Sequence, residues 1–220
     1  MSKLHVDSVI KTFGTNQVLT DIFISCETGE IVGLLGKNGT GKSTLLKIIL
    51  GALNADRKFV KVNDKVISSI YENRNLINYL PQNNFLPNHL TVKKIISTFC
   101  DNQNAEKVSK HHLIVDLLDK KSNQLSGGEK RIIEILLIIY SEAKFILIDE
   151  PFNGVAPIYR EEIKALIKEE SKHKGFIITD HDYRNIIDLS TRLVLLRDGG
   201  TKLIKNPKEL EYWGYIPEKV

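Results

Sequence analysis

The sequence predicts an α/β fold: a mainly parallel sheet with flanking helices, an antiparallel β subdomain near the N-terminal end, and an inserted helical subdomain. Three observations carry this. Residues 31–35, 145–148, 175–179 and 192–196 are short apolar runs, as expected of strands buried on both faces. A helical pattern over 158–171 separates two of them, as a crossover between parallel strands requires. The stretch from about 83 to 140 reads as mostly helical, broken near Asn102 and again near Ser122-Asn123.

The remaining elements follow in order. Residues 3–10 and 17–26 read as strands, and Thr28-Gly29-Glu30 as a turn. Residues 31–35 are the first buried strand, and a helix over 44–50 follows. Residues 58–62 and 65–70 read as a hairpin closed at Asn63-Asp64, and 76–80 as a strand ended by Pro81.

Between the strand at 31–35 and the helix lies Gly36-Lys37-Asn38-Gly39-Thr40-Gly41-Lys42-Ser43, followed by Thr44. It fits the phosphate-binding pattern Gly-x-x-x-x-Gly-Lys-Ser/Thr. Such a loop turns backbone N–H groups and a helix N-terminus toward an anion. Gly39 and Gly41 let the backbone turn tightly with no Cβ in the way. Lys42 is placed to reach the β- and γ-phosphates of a nucleoside triphosphate, and the Ser43 hydroxyl to bind Mg²⁺. The core is thus expected to be of the P-loop NTPase type.

The strand at 145–148 runs into Asp149-Glu150. Ligands of parallel sheets sit at the carboxyl ends of strands. Asp149 there suits the Mg²⁺ shell. Glu150, one residue further out, suits the orientation and polarisation of an attacking water.

Bulk properties narrow the class. The chain has 220 residues and is 42% hydrophobic, enough for one globular unit with a full core. The net charge of +4 comes from scattered lysines, so a solvated basic surface is expected and no direct nucleic-acid partner. Cys26 and Cys100 have no metal or disulfide spacing and read as idle thiols in a reducing cytosol. The first residues lack the apolar core of a signal peptide. The most apolar run, 132–140, is short and carries Glu134, so a membrane role is expected only through a partner.

Leu125-Ser126-Gly127-Gly128-Glu129 places these motifs in a family. With this pentapeptide 23 residues from Ser126 to Asp149, the chain resembles the nucleotide-binding subunit of an ATP-binding cassette (ABC) ATPase. Physically, Ser126 and the two glycines open a helix and offer backbone N–H groups and a hydroxyl to a phosphate. Tyr79-Leu80-Pro81-Gln82 resembles the family's Q-loop, with Leu90-Thr91-Val92 at the expected distance after it. Ile178-Thr179-Asp180-His181-Asp182 resembles its switch region. Phe13, in Lys11-Thr12-Phe13-Gly14, sits where the family places an aromatic that stacks on adenine. The resemblance spans Leu4 to about Leu203.

It implies a single nucleotide-binding domain over 1–220, with the helical subdomain inserted at about 83–140, and ATP and Mg²⁺ as cofactors. Residues Gly36 to Thr44, with Phe13, Ser126, Gly127 and Gly128, are implied nucleotide contacts. Ser43, Gln82 and Asp149 are implied metal ligands. Glu150, Gln82 and His181 are implied as base, water positioner and γ-phosphate sensor. Two subunits, expected to be a homodimer, face each other head to tail, so that Ser126 and Gly128 act on the partner's ATP. Separate membrane-spanning subunits hold the dimer at the inner face of the membrane. A soluble cassette ATPase acting in assembly or on nucleic acid is the alternative, as is a low-turnover nucleotide-gated binding protein. Only 84 residues separate Lys42 from Ser126, which excludes the chromosome and repair ATPases with their long coiled-coil insertion.

Two segments depart from the family. Ala156, in Glu150-Pro151-Phe152-Asn153-Gly154-Val155-Ala156-Pro157, replaces the usual D-loop aspartate. Leu136-Leu137-Ile138 stands where small residues and an arginine are common, and reads as a more apolar buried helix. The 151–155 and 179–181 variants look most similar to cassettes handling lipids or branched apolar solutes. His111-His112 reads as a solvated pair, residues 164–174 as an exposed charged helix face, and Tyr212, Trp213 and Tyr215 as packing back on the core.

Overall fold

The computed structural model describes residues 1–73 and 75–216. In chain order the elements are β1 (Lys3–Phe13), β2 (Asn16–Glu27), β3 (Ile31–Leu35), α1 (Lys42–Leu50), β4 (Arg57–Val62), β5 (Lys65–Val66) and β6 (Ile77–Leu80). Then come α2 (Val92–Phe99), α3 (Asn102–Ser109), α4 (Gly127–Ile139), β7 (Phe145–Asp149), α5 (Pro157–Glu170), β8 (Gly175–Thr179) and α6 (Tyr183–Leu189). Strands β9 (Arg192–Arg197) and β10 (Gly200–Ile204) and the short α7 (Glu209–Tyr212) complete it.

The strands lie in the order β5-β4-β1-β2-β10-β9-β3-β8-β7-β6. From β9 to β6 every pairing is parallel. The β5-β4-β1-β2 part is antiparallel. β10 joins the two, antiparallel to β9 and touching β2 at Gly200–Asp21.

Alternation along the central strands builds two cores. Ile31 and Leu35, Ile146 and Ile148, and Phe176 and Ile178 enter one, against α2, α4, α5 and α6. Val32 and Leu34, Phe145 and Leu147, and Ile177 enter the other, against α1 and the antiparallel strands. A strand buried on both faces has no polar side, hence the unbroken apolar runs in the sequence.

Helices α2, α3 and α4 are inserted between β6 and β7. Thr91, Asp101 and Ser126 each accept a backbone N–H as N-caps, which explains where these helices start. Every residue of α4 from Arg131 to Ile139 is buried, so Leu136-Leu137-Ile138 belongs to an enclosed helix.

Several expectations need correction. Residues 83–91 form no helix before α2. The second hairpin strand is only Lys65–Val66, because the Glu72 carboxylate accepts the Ser68 N–H at 2.6 Å and draws the chain into a turn. α1 begins at Lys42, two residues earlier than expected. Lys164 is buried rather than on an exposed face, since Glu161 and Asp188 each meet its ammonium at 3.0 Å. Trp213 and Tyr215 pack on the core, but Tyr212 stays exposed.

Candidate active site

The phosphate loop leaves β3 and enters α1 with no side-chain cap and no acidic residue in the first turn. The N–H groups and positive dipole end of α1 are therefore free for an anion. Gly39 and Gly41 both have positive φ, 83° and 100°. A Cβ on Gly41 would also lie 2.7 Å from Val18 Cγ1, so glycine is required there twice over. The Lys42 ammonium donates to the carbonyls of Gly36 (2.7 Å) and Lys37 (3.1 Å). Burial lowers its pKa, while Glu150 and Asp149 pull the other way. The Thr40 hydroxyl donates to the Lys37 carbonyl and closes the loop on itself.

At the end of β7, Asp149 is almost fully buried, and the Tyr79 hydroxyl donates to its Oδ2 at 3.0 Å. Glu150 sits at φ 51°, a left-handed backbone that a glutamate rarely adopts. Its N–H donates to the Thr179 carbonyl at 2.8 Å. Its Oε2 accepts from the Gln82 amide nitrogen at 2.8 Å. The sharp turn at Glu150 lets β7 deliver a buried carboxylate and an open one in consecutive residues.

The switch region is built on Asp180. Its side chain is buried and accepts the N–H groups of Asp182 (2.9 Å) and Phe152 (3.4 Å). It lies 3.5 Å from His181 Nδ1, while the His181 ring remains over half exposed. Burial raises the Asp180 pKa, against those hydrogen bonds and the nearby imidazole.

These parts meet in one cleft of about 650 Å³. Asn38, Gly39, Gly41, Lys42, Ser43, Thr44, Gln82, Glu150 and His181 line it, together with Val18 and Asn153. Gly36, Lys37 and Thr40 are not among the lining; Lys37 and Thr40 line a neighbouring pocket beside Arg197 and Trp213, and the contacts of all three shape the loop. Phe13 is not part of the lining; it is partly exposed at the β1–β2 hairpin, with the Lys11 ammonium 4.8 Å from its ring centre.

Ser126, Gly127 and Gly128 are also absent from the lining. The Ser126 hydroxyl accepts the Glu129 N–H, and the Glu129 carboxylate accepts the Ser126 N–H, a reciprocal capping box that opens α4. A Cβ on Gly128 would sit 2.8 Å from the Gly154 carbonyl, so the loop after Glu150 packs directly on this helix start.

A phosphate loop, two strand-end carboxylates and this glycine-rich helix start now stand in one frame. The sequence model of the ABC transporter family matches residues 19–153. The chain belongs to that family. The lipopolysaccharide export system ATP-binding protein LptB of Acidithiobacillus ferridurans is 32% identical, covering 94% of this chain and 91% of that protein. LptB of Escherichia coli (strain K12) is 31% identical, covering 96% and 93%. A solved ATP-binding subunit of an ABC transporter shares the fold, with a TM-score of 0.85 over 98% of this chain and 95% of that one at 22% identity. This cassette is an ATP-binding subunit of an ABC transporter and an ATPase. Among its described residues, no helix is long and apolar enough to cross a membrane.

Sequence reasoning passed over several site residues. Val18 and Asn153 reach the cleft only through the fold. Tyr79 and Asp180 were legible as motif members but not as the groups that hold Asp149 and His181. Arg131 and Glu134 left a signal: two charges spaced i, i+3 within a run otherwise buried and apolar.

Proposed function

We propose that this ATPase subunit powers separate membrane-spanning subunits by ATP-dependent closure of two copies, head to tail, over residues 1–220 acting as a single nucleotide-binding domain. One observation supports it above the others: the cleft gathers the phosphate loop, Gln82, Glu150 and His181, while Ser126 to Gly128 stand outside it. A complete site then needs the helix start of a second subunit.

The donor set suits Mg²⁺. A Ser43 hydroxyl, the Asp149 carboxylate and the Gln82 side-chain oxygen are hard oxygen ligands, and Mg²⁺ takes few protein ligands beside phosphate oxygens. The Gln82 nitrogen is engaged by Glu150, which leaves its oxygen for the ion. Bound Mg²⁺ would neutralise charge on the β- and γ-phosphates.

The protein's own part is positioning and charge stabilisation. Lys42 swings from the Gly36 and Lys37 carbonyls onto the phosphates. Glu150 orients water in line with the γ-phosphorus and accepts its proton. His181, steadied by Asp180, donates to a γ-phosphate oxygen. Ser126 and Gly128 of the partner copy complete the oxyanion contacts, each donor being worth about 3 kcal/mol in the transition state. Phe13 is proposed to stack on adenine after hairpin movement. The dimer holds while γ-phosphate is present and opens on its loss.

The assembly belongs at the inner face of a membrane. Both LptB relatives are named for lipopolysaccharide export, so an amphiphilic lipid is the cargo class to test first. Fractionation tests the placement. The isolated chain should stay soluble and sediment with membranes only beside its membrane-spanning partner. Membrane binding by the isolated chain contradicts the proposal.

A further inference from the structure

The buried charges on α4 touch both arms of the active site. Arg131 is 2% exposed and Glu134 fully buried, with their side chains 3.4 Å apart. One guanidinium nitrogen of Arg131 donates to the carbonyls of Asp149 (2.7 Å) and Glu150 (3.0 Å). The other donates to the Pro81 carbonyl at 2.6 Å, one residue before Gln82. Glu134 Oε1 accepts the N–H groups of Phe85 (2.6 Å) and Leu86 (3.4 Å), just after Gln82. The pair thus grips the Q-loop on both sides of Gln82 and holds the strained peptide of Glu150. It does so from the helix that Ser126 to Gly128 begin.

Stability alone is a poor explanation. Desolvation of a buried ion pair commonly cancels its attraction, so what this pair adds is its hold on the backbone of residues 81, 85, 86, 149 and 150. Arg131 Nε is buried with no partner, so the arrangement is not optimised even as a hydrogen-bond network.

We infer that Arg131 and Glu134 are a positioning pair that transmits the placement of the signature helix to the Gln82–Glu150 contact. When the partner's γ-phosphate seats Ser126 to Gly128, α4 shifts as a rigid rod. Arg131 carries the Glu150 peptide and the Pro81 carbonyl with it, and Glu134 carries residues 85 and 86. Filling one ATP site thereby sets the base geometry of the other. The inference rests on Glu150 being the base.

The test is an apolar replacement, R131M with E134L, in the full chain. Turnover, Mg-ATP affinity and thermal midpoint are measured together. The expected protein is folded but has a lower thermal midpoint, because five backbone groups lose their partners; it binds Mg-ATP within about 3-fold of wild type and turns over at least about 30-fold more slowly. Adding Gln82→Ala to it should slow turnover much less than Gln82→Ala does alone, because both act through one contact. A packing role would leave the two effects additive. A folded double variant with wild-type turnover overturns the inference. Should the double variant not fold, Glu134→Gln decides: a fall of at least about 10-fold in kcat with affinity kept supports the pair, and unchanged kcat overturns it. Glu150→Gln run alongside separates the two ideas. Turnover that survives Glu150→Gln removes the base assignment, whereas turnover lost there but kept in the apolar variant removes only the role of the pair.

Discussion

The Gln82 amide nitrogen and the Glu150 carboxylate are 2.8 Å apart, joining the loop after β6 to the end of β7. The contact engages the Gln82 nitrogen and leaves its oxygen free, as the proposed Mg²⁺ role requires. Gln82→Ala should lower kcat by about 100-fold with little change in Mg-ATP affinity, the cost of about 1 Å of misplacement. Steady-state kinetics beside equilibrium nucleotide titration checks this. An affinity loss equal to the rate loss would assign Gln82 to ground-state binding.

Ala156 is the N-cap of α5 and makes no capping bond, although Pro157 begins the helix well. Ala156→Asp should add about 1 kcal/mol of stability, a rise of about 2–4 °C in thermal midpoint. Scanning calorimetry reads it. Because the same residue lies on the loop that packs against Gly128, turnover should change too, and an unchanged midpoint would show that the cap is not formed.

Ser126 caps its own helix, and in the proposed dimer it also donates to the partner's phosphate. Ser126→Asp keeps a good cap at a helix N-terminus, so the thermal midpoint should hold. A carboxylate facing the partner's γ-phosphate should nonetheless lower turnover by at least about 100-fold. Loss of both together would mean that the effect is local to α4.

Both thiols resist ionisation. Burial, with Asp101 adding to it, pushes Cys100 up to about 11, and burial drives Cys26 far above the ordinary thiol range. At pH 8 Cys100 in the folded chain should alkylate about 100-fold more slowly than in the unfolded chain. Only the unfolded thiols ionise between about pH 8.5 and 11, so stability falls as pH rises through that window. Iodoacetamide labelling and denaturant midpoints across pH read the two effects.

Much of this was legible in the sequence, for identifiable reasons. Strands β3, β7, β8 and β9 were visible because burial on both faces confines polar residues to their ends, such as Arg192, Thr179 and Asp149. The phosphate loop was visible because φ near 100° and a 2.7 Å approach by Val18 allow only glycine at Gly41. The extended path of 83–91 was not, since Glu134, some fifty residues away, holds Phe85 and Leu86 through their backbones. Lys164 misled because a helix surface pattern does not reveal Asp188 arriving from α6. The D-loop packing on Gly128 was likewise invisible, being a contact between two backbones.

The composite site stands or falls on the mass in solution of the Glu150→Gln variant, with and without Mg-ATP. Removing the proposed base should abolish turnover, spare binding and trap the closed pair. The expected result is a monomer of 25.0 kDa without nucleotide and a species of twice that mass with it. A variant that binds Mg-ATP yet stays monomeric, or one that still hydrolyses it, would contradict two identical sites shared between copies.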